Sequence, residues 1–463
     1  MTKTPTAPRG GREQAKKVKP SGTAAAMASQ TPARRKNESL RSDVDLLEAM
    51  LTRENLVRAW KRVKANKGAA GIDGRSIAET WEWLKGEGWS ITREQLRSGT
   101  YQPQPMRSAE ILKPSGGVRE LSIPTVLDRL IQQAMLQVLT PLFDPYFSDF
   151  SYGFRPKRSA HQALRQAKKY VEDGRTWVVD LDLENFFDRV NHDKLMTRVG
   201  RRVSDSRMLR LIRSYLESGV MRSGVKVRRE DGTPQGGPLS PLLANIMLDD
   251  LDRLLEKRGH LFVRYADDCN VYVGSKRAGE RVKGALTAFL TTDLKLKVNE
   301  AKSAVDRPSK RKLLGYSFYN GSKLRIAPKS LERMKRKVRE LTRRNRSISL
   351  EERLKQLSRF LTGWMAYFAL ADTPKVLRQL DAWIRRRVRL CVWKTWKRVR
   401  TRIRKLRSLS ISDDVAAITA NCRRGHWYIA GGSTMGAALS REWLDAQGLP
   451  SLFDRWLQLK PVY

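Results

Sequence analysis

The stretch "LFVRYADDCNVYVG", Leu261 to Gly274, decides how this chain is read. Two short apolar runs flank a pair of adjacent carboxylates, Asp267 and Asp268. Leu261, Phe262, Val263 and Tyr265 stand on one side, and Val271, Tyr272 and Val273 on the other. Aromatic and β-branched residues suit a half-buried pleated surface, and Asp–Asp suits a turn, so the spacing predicts a β-hairpin with two negative charges at its tip. Aspartate is an ordinary turn residue, because its side chain bonds nearby backbone. Adjacent carboxylates also repel, and Mg²⁺ or Mn²⁺, which take oxygen ligands, would relieve that repulsion. The tetrapeptide leaves both readings open. A third carboxylate, phosphate-binding groups and a nucleic-acid surface must come from the rest of the chain.

The composition points to a polyanionic partner. The 463 residues carry 91 Lys+Arg against 48 Asp+Glu, a formal net charge of +43. That excess is too large for a typical soluble enzyme of small metabolites. Each phosphate neutralised by a basic residue releases counterions and strengthens binding. An anionic membrane surface is a weaker alternative. No apolar run is long enough to span a bilayer, and no signal peptide opens the chain. Cys269, Cys391 and Cys422 are far apart and form no C-x-x-C pair, which suits a reducing compartment. With only four histidines, a zinc-based site has little material.

Residues 1–40 are rich in Thr, Pro, Ala, Gly and basic side chains, with little apolar material to bury; they read as a disordered basic arm. Residues 41–325 form an α+β region. It opens with helical periodicity from Asp43 to about residue 100 and continues with helices alternating with short strands. "AEILKPSGGVRELSIP" reads as a hairpin, "VLDRLIQQAMLQVLTPLF" as a helix, and "TWVVDLDLENFF" as a strand running into a helix. Residues 326–407 are helical and strongly basic. Ser349 with Glu352 predicts a capping box, and Thr373–Pro374 opens one long helix through Leu406. Leu377, Leu380, Ile384, Val388 and Cys391 share a stripe of it. The other faces carry Arg385, Arg386, Arg387, Arg389, Lys394, Lys397, Arg398 and Arg400, with Trp393 and Trp396 interleaved. A solvated helix face usually mixes signs; this one does not, which predicts phosphate binding. Residues 408–463 form a small C-terminal unit, expected to bind nucleic acid.

The third carboxylate lies in "VVDLDLENFFDRV". Asp180 and Asp182 alternate with Val179, Leu181 and Leu183, so both point to one face of an apolar strand. Three carboxylates from two neighbouring strands could hold two cations about 3.5–4 Å apart, a pair able to activate an attacking 3′-hydroxyl and steady a leaving pyrophosphate.

With these motifs in place, the chain resembles reverse transcriptases encoded by group II introns. "YADD" at 265–268 and "DLENFFD" from Asp182 look like their paired metal motifs. "GIDG" at 71–74, "KPSGGVRELSIPTVLDRLIQQA" from Lys113, "SYGFRPKRSAHQAL" from Ser151, "TPQGGPLSPLLANIMLDDLD" from Thr233 and "LGYSF" from Leu314 follow in the same order. The resemblance implies a right-hand polymerase, α+β fingers and palm followed by an all-α thumb or maturase domain. It assigns Asp182, Asp267 and Asp268 to two Mg²⁺ ions (Mn²⁺ as substitute), and makes Asp180 structural. Lys113 and Arg119 would grip the deoxynucleoside triphosphate, Phe187 would pack under its sugar, and Gln235 would lie at the nucleotide and template. Tyr265 and Gly315 match primer-contacting positions, and Lys302 matches a lysine that protonates pyrophosphate. Arg385, Arg386, Arg389 and Lys397 are the RNA-binding candidates on the basic helix.

The implied partners are group II intron RNA, target DNA and deoxynucleoside triphosphates, with no membrane, in a bacterial-type cytoplasm; the oligomeric state stays open. The implied function is RNA-directed DNA synthesis on intron RNA, primed at the target, together with help in splicing. Two alternatives remain: a related polymerase of DNA repair or defence, and an RNA-binding maturase that acts in splicing only. Many relatives end in a Cys/His-rich endonuclease. This sequence stops after "GLPSLFDRWLQLKPVY" without such a cluster, so second-strand nicking is not expected of it.

Overall fold

The sheet that carries the carboxylates is built by alternation. In the computed structural model, strand Leu261–Tyr265 pairs antiparallel with Asp268–Val273. That strand pairs with Trp177–Leu181, which pairs with Ala304–Asp306. Val179, Leu181, Phe262, Val271 and Val273 face one core, with Leu243, Met247 and Leu251 of helix Ser240–Lys257 and Leu286 and Leu290 of helix Lys276–Thr292. Val178, Val263 and Tyr272 face a second core, with Leu164 and Tyr170 of helix Ala160–Glu172 and the thumb residues. A period of two thus buries both faces of the sheet. Asp180, Asp182 and Asp268 share the parity of the second face, and all three line one cavity there.

The structure describes residues 45–112, 118–222, 225–227, 231–234 and 236–460. The expected basic arm at 1–40, Lys113 and Gln235 lie outside the described residues. Arg119 is described by its backbone alone, in strand Val118–Ile123 opposite Ile111.

The predicted fingers hairpin forms from Met106–Leu112 and Val118–Ile123. It belongs to a second four-stranded sheet, in which Met106–Leu112 runs parallel to Val220–Arg222. Behind it runs helix Val126–Phe143, whose N-terminus is capped by the Thr125 side chain accepting from the Asp128 amide. The expected helix after the palm strand does not form there. Asn185 adopts a left-handed φ of 49°, a conformation Asn tolerates better than most residues. Only a 3-10 turn, Phe186–Asp188, follows before Asn191 caps helix His192–Val199.

Hairpin Tyr316–Tyr319/Lys323–Ile326 leads into the thumb helices Pro328–Leu341, Leu350–Tyr367 and Pro374–Thr395. The predicted stripe Leu377, Leu380, Ile384, Val388 and Cys391 is buried throughout. The capping box is half made. Ser349 caps the Glu352 amide at 3.1 Å, but the Glu352 carboxylate accepts from Gln356 instead.

The long basic helix is also corrected. It ends at Thr395, and a new helix runs Val399–Arg407. Trp393 and Trp396 are 1% and 7% exposed, edge to face at 5.8 Å, in a core with Leu406, Ile429, Met435 and Leu439. Two indoles carry too much apolar area to leave in water while a neighbouring helical unit can cover them. They are core, not aromatic steps between phosphate contacts. Among the described residues, no helix is long and apolar enough to cross a membrane.

Candidate active site

The hairpin tip is tight. Tyr265 pairs with Asp268, which leaves Ala266 and Asp267 as the two turn residues. Ala266 has φ +60°, a conformation usually left to glycine at the first position of a two-residue hairpin turn. The tip is held from beneath. Arg264 and Asp252, both fully buried, make two parallel bonds of 2.7 and 2.5 Å. Arg264 Nη1 also donates to the Ala266 carbonyl at 2.8 Å and to Asn245 Oδ1 at 3.0 Å. Asn245 Nδ2 donates to the Gly153 carbonyl at 2.9 Å. Gly153 lies so close to the turn that a Cβ there would sit 2.2 Å from the Ala266 nitrogen. Sequence reasoning missed this group. The signals were an arginine inside an apolar strand, and Asn245 and Asp252 seven apart on a buried helical face shared with Leu242, Leu248 and Leu255.

The acids differ in their surroundings. Asp180 accepts from Asn270 Nδ2 at 2.8 Å and from Arg311 at 2.6 and 2.9 Å. It is engaged structurally, as its early position in the motif implied. Asp182 lies just past the strand end. Its amide donates to Ser303 Oγ, its carbonyl accepts from the Asn299 amide, and its Oδ1 is 3.6 Å from Lys302 Nζ. Asp268 opens onto the same cavity, whose volume is about 710 Å³ and whose walls include Lys302, Lys312 and Lys329. Asp268 is solvent-exposed at the cavity mouth, yet the protein around it thins its hydration; that desolvation, and then repulsion from Asp267, Asp180 and Asp182, push its pKa up to about 6, and Lys312 opposes this. Asp267 lies at the turn and is not part of the cavity wall.

Among the described residues, no three His, Cys, Asp or Glu side chains are gathered into a ready-made metal cage. Mg²⁺ does not require one. It keeps several waters and binds through one or two carboxylates together with substrate phosphates. The all-oxygen donor set and the crowding at Asp268 fit a hard cation that arrives with a polyphosphate.

The turn that carries Phe187 is a second assembly. The half-buried Phe187 ring stacks edge to face on Phe186 at 5.2 Å. The run leading to Gln235 is stapled to this turn: the Thr233 amide donates to the Phe187 carbonyl, the Gly232 amide to Val190, and a His192 ring nitrogen meets the Gly232 carbonyl at 2.7 Å. At Gly236 and Gly237 the backbone comes close to the fingers. A Cβ would lie 2.5 Å from the Ser122 carbonyl oxygen at Gly236, and 2.3 Å from Gln132 Oε1 at Gly237. Tyr265 packs at the edge of the second core. The Gly315 carbonyl accepts from the Ala327 amide and Ser330 Oγ, which ties the "LGYSF" hairpin to the first thumb helix.

The RNA-binding candidates divide. Arg386 donates to the Trp427 carbonyl and lies over its ring at 4.2 Å. Arg389 donates to the carbonyls of Leu439 and Gly436. Their guanidiniums satisfy carbonyls in and at the ends of short C-terminal helices, and so dock those helices on helix Pro374–Thr395. Arg385 is half-buried. Lys397 is exposed with Lys394, Arg398 and Arg400, so the open basic surface lies at the helix break.

Sequence comparisons with known proteins agree with this architecture. A family model described as reverse transcriptase (RNA-dependent DNA polymerase) matches residues 111–318, and one described as group II intron, maturase-specific domain, matches residues 331–409. Protein YkfC of Escherichia coli (strain K12) is 34% identical over 300 residues, covering 56% of this chain and 78% of its own length. The group II intron-encoded protein LtrA of Lactococcus lactis subsp. cremoris is 31% identical over 328 residues, covering 56% of this chain; the match spans about half of LtrA, 54%. A solved partial Cas6-RT-Cas1–Cas2 complex is similar at 25% identity with a TM-score of 0.36, covering 54% of this chain and 43% of that one. The reverse transcriptase match over fingers and palm, the maturase match over the thumb and the extent of the similarity to these relatives place the chain in the group II intron reverse transcriptase and maturase family.

Proposed function

We propose that this chain copies the RNA of a group II intron into DNA, primed at the target, and holds the same RNA in its splicing-active fold. The observation that carries the reading is the convergence of Asp182 and Asp268, from neighbouring strands, on one cavity beside Lys302, with Asp267 in the adjoining turn. Asp182, Asp267 and Asp268 would hold two Mg²⁺ ions, with Mn²⁺ as a substitute. When bound, such a pair supplies Lewis-acid activation of a primer 3′-hydroxyl and neutralises charge on the leaving pyrophosphate.

The remaining roles belong to the chain's own residues. Lys302, whose Nζ is 3.6 Å from Asp182 Oδ1, would hold a proton for the leaving group. Lys113 and Arg119 would meet the triphosphate, Phe187 would bar a 2′-hydroxyl, and Gln235 would lie against the nucleotide and template. Tyr265 and Gly315 would guide the primer. The net charge of +43 suits a large RNA surface.

Splicing help needs no palm carboxylate. A protein shifts an RNA fold only by its differential affinity for that fold. The test is to run primer extension on an RNA template beside a low-Mg²⁺ splicing assay of the intron RNA flanking this gene. Asp267→Ala should abolish synthesis and leave splicing help largely intact. Loss of both activities in a folded Asp267→Ala protein would show that they are not separable. Absence of splicing help from the unmodified protein would favour a repair or defence polymerase, and absence of synthesis a maturase that acts in splicing only.

A further inference from the structure

We infer that Arg264, paired with Asp252, is a positioning residue for the metal-binding carboxylates, and that it acts by fixing the Ala266 peptide of the hairpin tip. The inference rests on the polymerase reading above. Four observations support it. Both side chains are fully buried, which removes two charges from water and is costly unless the geometry and hydrogen bonding are nearly complete. The geometry is complete: Arg264 donates to both Asp252 oxygens, to Asn245 Oδ1 and to the Ala266 carbonyl. The Ala266 carbonyl belongs to the peptide that joins Ala266 to Asp267, so the guanidinium holds the backbone from which the first acid of the pair projects. Finally, Ala266 sits at φ +60°, where an alanine needs surrounding structure to stay.

A buried ion pair is by itself weak evidence for a stabilising role. A buried ion pair can often be replaced by apolar residues of similar volume at no loss. What apolar residues cannot do is donate to the Ala266 carbonyl. Lysine cannot reproduce the fork either, because its ammonium is a point charge on a flexible stem. Asn245 extends the brace to the Gly153 carbonyl, and the Tyr152 amide donates to the Arg264 carbonyl, so the "SYGF" segment is clamped to the same tip. Partners that orient metal ligands from outside the ligand set typically matter about 10–100-fold in metal affinity or activity when removed.

The experiment compares the full chain with the double variant Arg264→Met/Asp252→Leu and the single variant Arg264→Lys. Four quantities are read: melting temperature, Mn²⁺ dissociation constant by electron paramagnetic resonance, kcat, and KM for template–primer. The expected result for the double variant is a folded chain with a modestly lowered melting temperature, because the Ala266 carbonyl and Asn245 Oδ1 lose their donor, together with a Mn²⁺ constant raised about tenfold or more, a reduced kcat and an unchanged KM. A folded double variant with unmodified Mn²⁺ binding and kcat would overturn the inference, since the pair would then only fill the core. If the double variant does not fold, Arg264→Lys decides by the same readings: weakened Mn²⁺ binding supports the inference and unmodified binding overturns it. If the unmodified chain makes no DNA at all, the polymerase reading fails, while the Mn²⁺ constants still judge the brace.

Discussion

Gly153→Ala should disable DNA synthesis with a modest loss of stability. The backbone at Gly153 is not left-handed, so alanine can adopt it without φ/ψ strain. The obstacle is space. The new Cβ would lie 2.2 Å from the Ala266 nitrogen, 2.9 Å from the Tyr265 carbonyl carbon and 3.0 Å from the Ala266 Cα. The first distance falls about 0.8 Å short of the 3.0 Å below which real Cβ contacts essentially never occur, and the atoms in the way are backbone rather than the end of a flexible side chain. Either the hairpin tip retreats or the "SYGF" segment does. The segment is tied to its surroundings by the Asn245 bond to the Gly153 carbonyl and the Tyr152 amide bond to Arg264. A retreating tip takes Asp267 with it. A misplacement of about 1 Å at reacting groups can lower a rate roughly 10²-fold, and overpacking of this kind costs about 1–3 kcal/mol of stability. The assay is single-turnover addition of one deoxynucleotide to an RNA-templated primer, with the melting temperature measured alongside. Gly284→Ala is the control: it lies in helix Lys276–Thr292 with nothing within 4 Å of its Cβ, and should be neutral or stabilising by up to about 1 kcal/mol. A Gly153→Ala rate within twofold of the unmodified chain would refute the reasoning.

Asp268→Asn should raise the metal-free melting temperature at pH 8. The folded-state pKa of Asp268 is held up to about 6 from an ordinary value near 3.8, so its stabilising contribution is complete below the lower value and is lost as pH rises through the upper one. Melting in chelator at pH 5 and pH 8 should show that loss in the unmodified chain and a smaller one in the variant; equal pH dependence would contradict it. Arg389→Gln should lower the melting temperature and leave the salt dependence of RNA binding unchanged. Lys397→Gln with Arg398→Gln should instead flatten the log–log salt slope by roughly 0.7–0.9 per lost phosphate contact. Phe187→Ala should raise ribonucleotide relative to deoxynucleotide incorporation in single-nucleotide assays, while the Thr233 bond to the residue-187 carbonyl, a backbone contact, persists.

The palm was readable because its signals are local. Alternation around Asp180, Asp182, Asp267 and Asp268 gives strands and a shared face with no knowledge of partners. The apolar stripe of the last thumb helix was readable for the same reason. What escaped depends on contacts distant in sequence. Arg264 looks like a polar interruption until Asp252 and Asn245 arrive from helix Ser240–Lys257. The glycines at 236 and 237 signal a close approach, but only the fold shows that fingers atoms make it. Arg386 and Arg389 could not be told from solvated cations, because the carbonyls they meet lie 41 to 50 residues away. The break after Thr395 follows from burying Trp393 and Trp396 against the C-terminal helices, which outweighs the helical periodicity of the run.

The most direct test is the Mg²⁺-dependent rate of first nucleotide addition on an RNA template, measured for the unmodified chain and for Asp182→Asn. Asp182, just past the end of the central strand, lines one cavity with Asp268 of the hairpin. A neutral amide cannot replace an anion between two cations, so the rate should fall by several orders of magnitude while the protein stays folded and still binds RNA. Near-normal addition by Asp182→Asn would contradict the assignment of this cavity as the polymerase centre.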